Sequence, residues 1–442
     1  MEIEQVKEYI LDYHRNALPK LIARDLAIGE TNKIVSIIGP RRAGKTYFLY
    51  QKIGELLSQG VKKENTLYLN FEDPRLMDLT YKDFGDIIKI HWQLYPGTIK
   101  EKLFILIDEP QNIIKWEAGV RYLHDNNFKV FLTGSSSKLL SKEIATGLRG
   151  RSLSYLLLPF SFGEFLKLKE KTFDINKLGS RDRALLLSLL DEYISFGGFP
   201  EVIIEESPES KIRIIKEYFD LIVYKDIAER YKIKNSALVK WLIKISALSM
   251  SREFSINKAF LNLKSKGIKV SKNTLYAYAS MLEEALFIFP VEPFNYSARK
   301  KDFTINKVYL CDIGFSKLVE STSNTGNKAE NIAFLELKRR EKPLTSISYY
   351  KNAQGYEVDF VIKEGTGIKQ LIQVCCGPTN KETNEREIRA LLHASKELKC
   401  KNLLIITQSQ ESNEEAEWFG IKGKIKYVPL WKWLLQEQCW GD

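Results

Sequence analysis

The chain has 442 residues, which at about 100 to 200 residues per domain allows two to four domains; with 44% hydrophobic and 28% charged residues it has the composition of a folded globular protein, not a disordered or fibrous one. Its 67 Lys and Arg exceed its 56 Asp and Glu by 11, a balance that admits a polyanionic partner (nucleic acid, an anionic membrane surface, nucleotide phosphate) and equally a soluble surface rich in ion pairs. The cysteines, Cys311, Cys375, Cys376, Cys400 and Cys439, have no CxxC spacing, and His14, His91, His124 and His393 are scattered, which argues against a disulfide framework, a Cys/His metal site and a Ser-His-Asp triad.

The first segment, MEIEQVKEYILDYHRN, has a helical period and lacks the basic and apolar regions of a signal peptide. No apolar run reaches about 18 residues, so a cytoplasmic protein with no membrane partner is expected. From Lys33 the chain reads KIVSIIGPRRAGKTYFLYQKIGELL, a buried strand, a Gly- and Arg-rich loop and an amphipathic helix. Gly39, Gly44, Lys45 and Thr46 satisfy G-x4-G-K-[ST], a loop whose backbone N–H groups curl around phosphates at a helix N-terminus. Gly39, Pro40, Arg41, Arg42, Ala43, Gly44, Lys45 and Thr46 are therefore the candidate ATP cradle. Lys45 is expected on the β and γ phosphates and Thr46 on Mg2+.

NTLYLNFEDPRL reads as a second strand. KLFILIDEPQNI supplies an apolar strand over 103–107 that ends in Asp108 and Glu109. Those carboxylates read as the metal residue and the base that orients the attacking water; an ordinary acidic turn is the competing account. FKVFLTGSSSKLL is a further strand ending in Thr133, Ser135 and Ser136, where a polar group such as Ser135 can sense the γ phosphate or merely cap a helix. Alternating strands and helices predict a parallel α/β sheet. Arg149 and Arg151 flank Gly150 before another strand; they are candidates for stabilising transition-state charge, in cis or from a neighbouring subunit, with surface ion pairing as the alternative.

Taken together, GPRRAGKT, LNFEDPRL, ILIDEPQNIIKW, LTGSSSKLL, LRGRSLSYLLLPFSFGEFL and FGGFPEVI at 196–203 resemble a family of prokaryotic, largely archaeal, AAA-type P-loop ATPases, over essentially the whole chain. The resemblance implies ATP and Mg2+ as cofactors and a homo-oligomer as one assembly state. It also implies a helical lid in which Gly198 and Pro200 lie near adenine or ribose. The same letters fit a helix C-cap at Gly197 or Gly198 followed by a terminating proline.

Three amphipathic stretches beginning at Ser236, Ser255 and Ser271 precede a hairpin whose tip carries Arg299, Lys300 and Lys301. This is the pattern of a winged helix, with Lys272 and Asn273 placed to meet DNA; such modules also serve as lids and protein docks. Past Gly314, a helix bearing Glu330 and two strands, one ending at Asp359, resemble the restriction-endonuclease core. The position that should read acid-x-Lys reads Gln373-Val374-Cys375. Glutamine is a poor metal ligand and cysteine lacks lysine's charge, so the reading is a degenerate module in which Glu330, Glu357 and Asp359 are structural and nothing is cleaved.

The expected fold is α/β: an AAA-type P-loop core (1–204), a helical lid (205–235), a winged helix (236–314) and a nuclease-like α/β domain (315–442). The expected function is a Mg2+-dependent ATPase coupled to a DNA-associated assembly. An ATP-gated protein scaffold indifferent to DNA is the alternative reading, and an active metal-dependent nuclease the third.

Overall fold

Five short strands build the first sheet: β1 (Ile34–Ile38), β2 (Thr66–Asn70), β3 (Phe104–Asp108), β4 (Lys129–Gly134) and β5 (Ser152–Leu156). Their order is β2-β3-β4-β1-β5 and every pair is parallel. All five residues of β1 are buried, which is why IVSII reads as a continuous run: a parallel sheet is covered on both faces. Helix Lys45–Ser58 lies on one face, where Phe48, Leu49 and Ile53 meet Val35, Leu106 and Phe131. Each such buried side chain stabilises the unit by about 2 kcal/mol. Because the strands are parallel, their carboxyl ends bring the loop after β1, the end of β3 and the end of β4 to one edge, where ligands of open α/β sheets bind.

The computed structural model describes residues 2–134, 148, 150–233, 235–295, 306–319, 325–377 and 381–436. The chain divides into two units, residues 1–158 with 284–286 and residues 159–283 with 287–442. The parallel sheet belongs to the first.

The second unit begins with helix Phe162–Leu168, whose start is fixed by a reciprocal cap between Ser161 and Glu164. Helices Ser180–Phe196, Pro200–Ile204 and Pro208–Leu221 follow, the last running on into a π-helix, Ile222–Glu229. Next come helices Ser236–Leu248, Ile256–Ser265 and Lys272–Glu284, joined by a small core of Leu238, Leu263 and Leu275. Ser271 Oγ accepts the Thr274 N–H at 3.0 Å and so starts the third of these helices, as expected of an N-cap. A three-stranded sheet accompanies them, in the order β6-β8-β7: β6 (Arg252–Phe254), β7 (Ile288–Val291) and β8 (Asn306–Leu310), all antiparallel. β7 and β8 are the expected hairpin; its tip lies outside the described residues.

The last sheet has six strands: β9 (Thr345–Lys351), β10 (Glu357–Glu364), β11 (Gly367–Cys375), β12 (Leu403–Thr407), β13 (Ser412–Trp418) and β14 (Ile421–Pro429), in the order β13-β14-β12-β11-β10-β9. It is mixed, with β11, β12 and β14 parallel and the outer pairs antiparallel. Helix Lys381–Leu398 packs Leu391, Ala394 and Leu398 against Leu371, Leu403 and Ile405. One detail departs from expectation: Asp359 stands near the start of β10, not at a strand's end. The turn over residues 352–356, with Gly355 at φ +87°, comes just before the strand.

Candidate functional site

The loop after β1 is shaped by close approach and by unusual backbone angles. A Cβ on Gly39 would lie 2.0 Å from the Leu157 carbonyl oxygen, so only glycine fits there. Gly44 (φ +93°) and, less commonly for a side-chain-bearing residue, Arg42 (φ +66°) are left-handed, which turns the backbone into the start of helix Lys45–Ser58. Arg24, which the sequence reading missed, holds the loop in place. Its guanidinium donates to the Ala43 carbonyl at 2.8 Å and to the Leu158 carbonyl at 2.6 Å. Pro40 and Ala43 are buried, Arg42 is exposed, and Arg41 stands 4.0 Å from Glu72.

Lys45 is buried, and its Nζ donates to the Gly39 and Pro40 carbonyls at 3.1 and 3.0 Å. Thr46 Oγ1 donates to Asp108 Oδ2 at 2.6 Å. The same Oδ2 accepts the Tyr68 hydroxyl at 3.1 Å, and Oδ1 accepts the Thr133 hydroxyl. Burial, and next the neighbouring Glu109 charge, push the Asp108 carboxyl above the usual carboxylate range, while Thr133, Thr46 and Lys45 pull it back. Glu109 is left-handed (φ +50°), its N–H pointing to Thr133 Oγ1 at 3.4 Å, and Gln111 Nε2 donates to its carboxylate. Five sequence-derived residues, Gly39, Lys45, Thr46, Asp108 and Glu109, thus meet at one edge of the sheet. Tyr68 and Gln111 join them unforeseen, since nothing in their local pattern marks a side chain that reaches across strands.

Arg151 does not join them. It precedes β5, its carbonyl accepts the N–H of Ile34 at the first residue of β1, and its Nε donates to Asp125 at 2.9 Å. It therefore stands at the amino ends of the strands, the opposite edge from the loop, and the in-chain role expected for it is corrected: five residues of strand, about 16 Å, intervene. Ser135 and Arg149 lie outside the described residues, as do Arg299, Lys300 and Lys301.

In the second unit Gly197 caps helix Ser180–Phe196 at φ +82°, and Pro200 opens the next helix. The Gly198 N–H donates to buried Asp312 at 2.7 Å, and its carbonyl accepts from Phe160 N at 2.8 Å. Lys272, over the Tyr276 ring at 5.8 Å, and Asn273 are exposed at the start of their helix.

Around the endonuclease-like positions a lysine the sequence reading passed over takes the centre. Lys307, on β8 and 3% exposed, lies 3.1 Å from Glu330, 2.8 Å from Glu357 and 2.9 Å from Asp359. Burial alone would lower its pKa, but Asp359 and Glu330 hold it well above the usual range. Glu330 is pushed up to about 8, by burial and then by Asp359. Gln373 is held at both ends of its amide, accepting the Asp359 N–H at 3.1 Å and donating to Glu387 at 2.5 Å. A cavity of about 490 Å³ opens beside the cluster. Among the described residues no group of three His, Cys, Asp or Glu is arranged to hold a metal ion.

Family models match three stretches: an AAA domain over 31–166, a domain of unknown function (DUF8612) over 187–325 and another (DUF4143) over 325–433. The uncharacterized protein MJ1544 of Methanocaldococcus jannaschii is 40% identical over 420 residues, covering 94% of this chain and 91% of that protein. The chain belongs to its family. A second family relative, an uncharacterized protein of Haemophilus influenzae, is 32% identical over 92% of this chain and 95% of its own length. Among solved structures this chain is similar to the ORC2 protein of Aeropyrum pernix in its ADPNP–ADP complexes (14% identity, TM-score 0.34, covering 75% of this chain and 93% of that one). It is similar also to Cdc6p of Pyrobaculum aerophilum (12%, TM-score 0.27, 75% and 93%). The matched AAA domain contains the loop, Asp108, Glu109 and Thr133, so the first unit is a P-loop fold of AAA type.

Proposed function

We propose that this chain is a Mg2+-dependent ATPase that couples ATP binding and hydrolysis to a DNA-associated assembly. The observation that carries the reading is the meeting of Lys45, Thr46, Asp108 and Glu109 at the carboxyl edge of the parallel sheet. A hydroxyl and a carboxylate 2.6 Å apart are the hard oxygen donors that suit magnesium. Bound there, magnesium would neutralise charge on the β and γ phosphate oxygens. Lys45, now resting on two carbonyls of its own loop, is the cation for those phosphates, and backbone N–H groups along 41–46 cradle them. Glu109 takes the proton from the attacking water, with Gln111 fixing its carboxylate.

The four-part division is retained as part of this proposal, with Gly198 and Pro200 in the lid, Ser135 sensing the γ phosphate, and Arg149 or Arg151 supplying charge across a subunit boundary. Three helices with the β6-β8-β7 sheet support reading 236–314 as a winged helix. Residues 254–282 hold Lys258, Lys264, Lys266, Lys269 and Lys272, all exposed, and no Asp or Glu. That favours a phosphate backbone as partner, with Asn273, Arg299, Lys300 and Lys301 as further contacts. The nuclease-like domain is read as degenerate and non-cleaving: Lys307 already pairs with Glu330, Glu357 and Asp359, and Gln373 is tied to Asp359 and Glu387.

The test is ATP turnover with duplex, single-stranded and branched DNA at two salt concentrations. Turnover is expected to rise with DNA and the effect to fade with salt. Lys45→Ala should abolish nucleotide binding, and Glu109→Gln should bind ATP while turning over about 10²- to 10⁴-fold more slowly. Wild-type turnover in Glu109→Gln would sink the assigned base, and turnover indifferent to every DNA would move the reading to a protein switch.

A further inference from the structure

Tyr68 is 5% exposed and sits on β2, paired with Leu106 of β3, while Asp108 pairs with Asn70. Tyr68 and Asp108 are therefore diagonal neighbours on one face of the sheet, a spacing that a long aromatic side chain spans. The ring is fixed on two sides, by Tyr50 of helix Lys45–Ser58 at 5.1 Å and by Tyr13 at 6.0 Å. A buried phenol is costly unless its hydroxyl is bonded, and packing alone would be served by phenylalanine. The hydroxyl donates to Asp108 Oδ2 at 3.1 Å and has the Tyr50 hydroxyl as its other polar neighbour. Burial, and then the Asp108 charge, raise its pKa far above the usual phenol range, so it stays a donor.

We infer that Tyr68 is a positioning residue for the metal carboxylate. Asp108 has three hydroxyl donors, but one of them, Thr46, is itself a proposed metal ligand. Ligating through its oxygen lone pair, Thr46 would orient the carboxylate only together with the metal. Tyr68 on Oδ2 and Thr133 on Oδ1 are the donors that remain, and between them they fix which way the carboxylate faces. Outer partners of this kind are worth about 10- to 100-fold in metal affinity. The inference rests on the ATPase reading above.

The experiment titrates Mg2+ into a fluorescent ATP analogue bound to wild type, Tyr68→Phe and Tyr13→Phe, with melting temperature and turnover measured alongside. Tyr13 belongs to the same buried cluster, but its hydroxyl meets Thr66 at 2.6 Å instead of Asp108. Expected for Tyr68→Phe is analogue binding without Mg2+ close to wild type, and a Mg2+ requirement raised about tenfold or more in both binding and turnover. Tyr13→Phe should lower the melting temperature and leave the Mg2+ requirement unchanged. An unaltered requirement in Tyr68→Phe, or an equal rise in Tyr13→Phe, overturns the positioning role and leaves the ATPase reading standing. Wild-type analogue binding and turnover that both ignore Mg2+ would overturn the metal assignment and this inference together.

Discussion

Asp108 and His14 show two opposite ways for a buried polar group to survive. Asp108 is surrounded by hydroxyls from Thr46, Tyr68 and Thr133, drawn from a helix and two strands. His14 has no hydrogen-bond partner at either ring nitrogen and packs, tilted, with its ring 4.4 Å from that of Tyr95 and 5.6 Å from that of His91. Burial, then His91, then Lys63, lower the His14 pKa to about 3, and burial lowers that of His91 to about 4. Both rings are thus neutral in the fold, whereas the unfolded chain takes up protons near pH 6.5. Between about pH 6.5 and those folded values the unfolded state binds more protons, so stability is lost as the pH falls through that window. His14→Phe keeps the ring packing and removes one basic group. Its melting temperature should drop less than that of wild type between pH 7 and pH 5, and an identical drop would remove His14 from the account. The residues of the P-loop and the Asp108-Glu109 pair were legible in the sequence because chemistry and local structure share one short stretch. Tyr68, Arg24 and Lys307 were not, because each acts on partners with which it has no periodic relation.

The FGGFPEV segment joins several elements around one buried group. Gly197 ends one helix in a left-handed conformation, and a Cβ there would lie 1.8 Å from Asp312 Oδ1. A Cβ on Gly198 would lie 2.3 Å from the Phe160 carbonyl oxygen, and one on Gly314 2.6 Å from that of Phe196. Three glycines thus let a helix end, the backbone at Phe160 and the turn after β8 close around one carboxyl. Asp312 accepts the N–H groups of Gly198 and Gly314, each at 2.7 Å, and burial pushes its pKa up to about 7. Packing accounts for both glycines of the motif, with a contact to nucleotide still proposed for Gly198. Gly198→Ala separates the two: overpacking should cost about 3 kcal/mol, read from denaturant unfolding. ATP affinity retained in the folded variant would leave Gly198 a packing role alone, and affinity lost would support the lid contact. The sequence pattern offered both the cap and the lid, and could not say that Asp312, more than 110 positions away, was the reason for the glycines.

Over the full chain the excess of 11 positive charges is unevenly spread, and the stretch over 254–282 carries five lysines and no Asp or Glu. Replacing Lys264, Lys266 and Lys269 with alanine should weaken DNA binding across sequences. The slope of log affinity against log salt should fall by about 0.9 for each phosphate no longer neutralised, measured by fluorescence anisotropy over a salt series; an unchanged slope would place the DNA-facing surface elsewhere. The amino-acid order alone specified the parallel α/β core, the phosphate loop, the acidic strand end, and the succession of helices and hairpin that follows. Each of these is written in a contiguous run whose period or turn chemistry dictates its own backbone. Folding in three dimensions was needed to put Arg151 at the far edge of its sheet, Tyr68 against Asp108, and Lys307 inside the carboxylate cluster. Those outcomes depend on which strands become neighbours and which side chains share a face, and long-range pairing leaves no local mark on the chain that makes it.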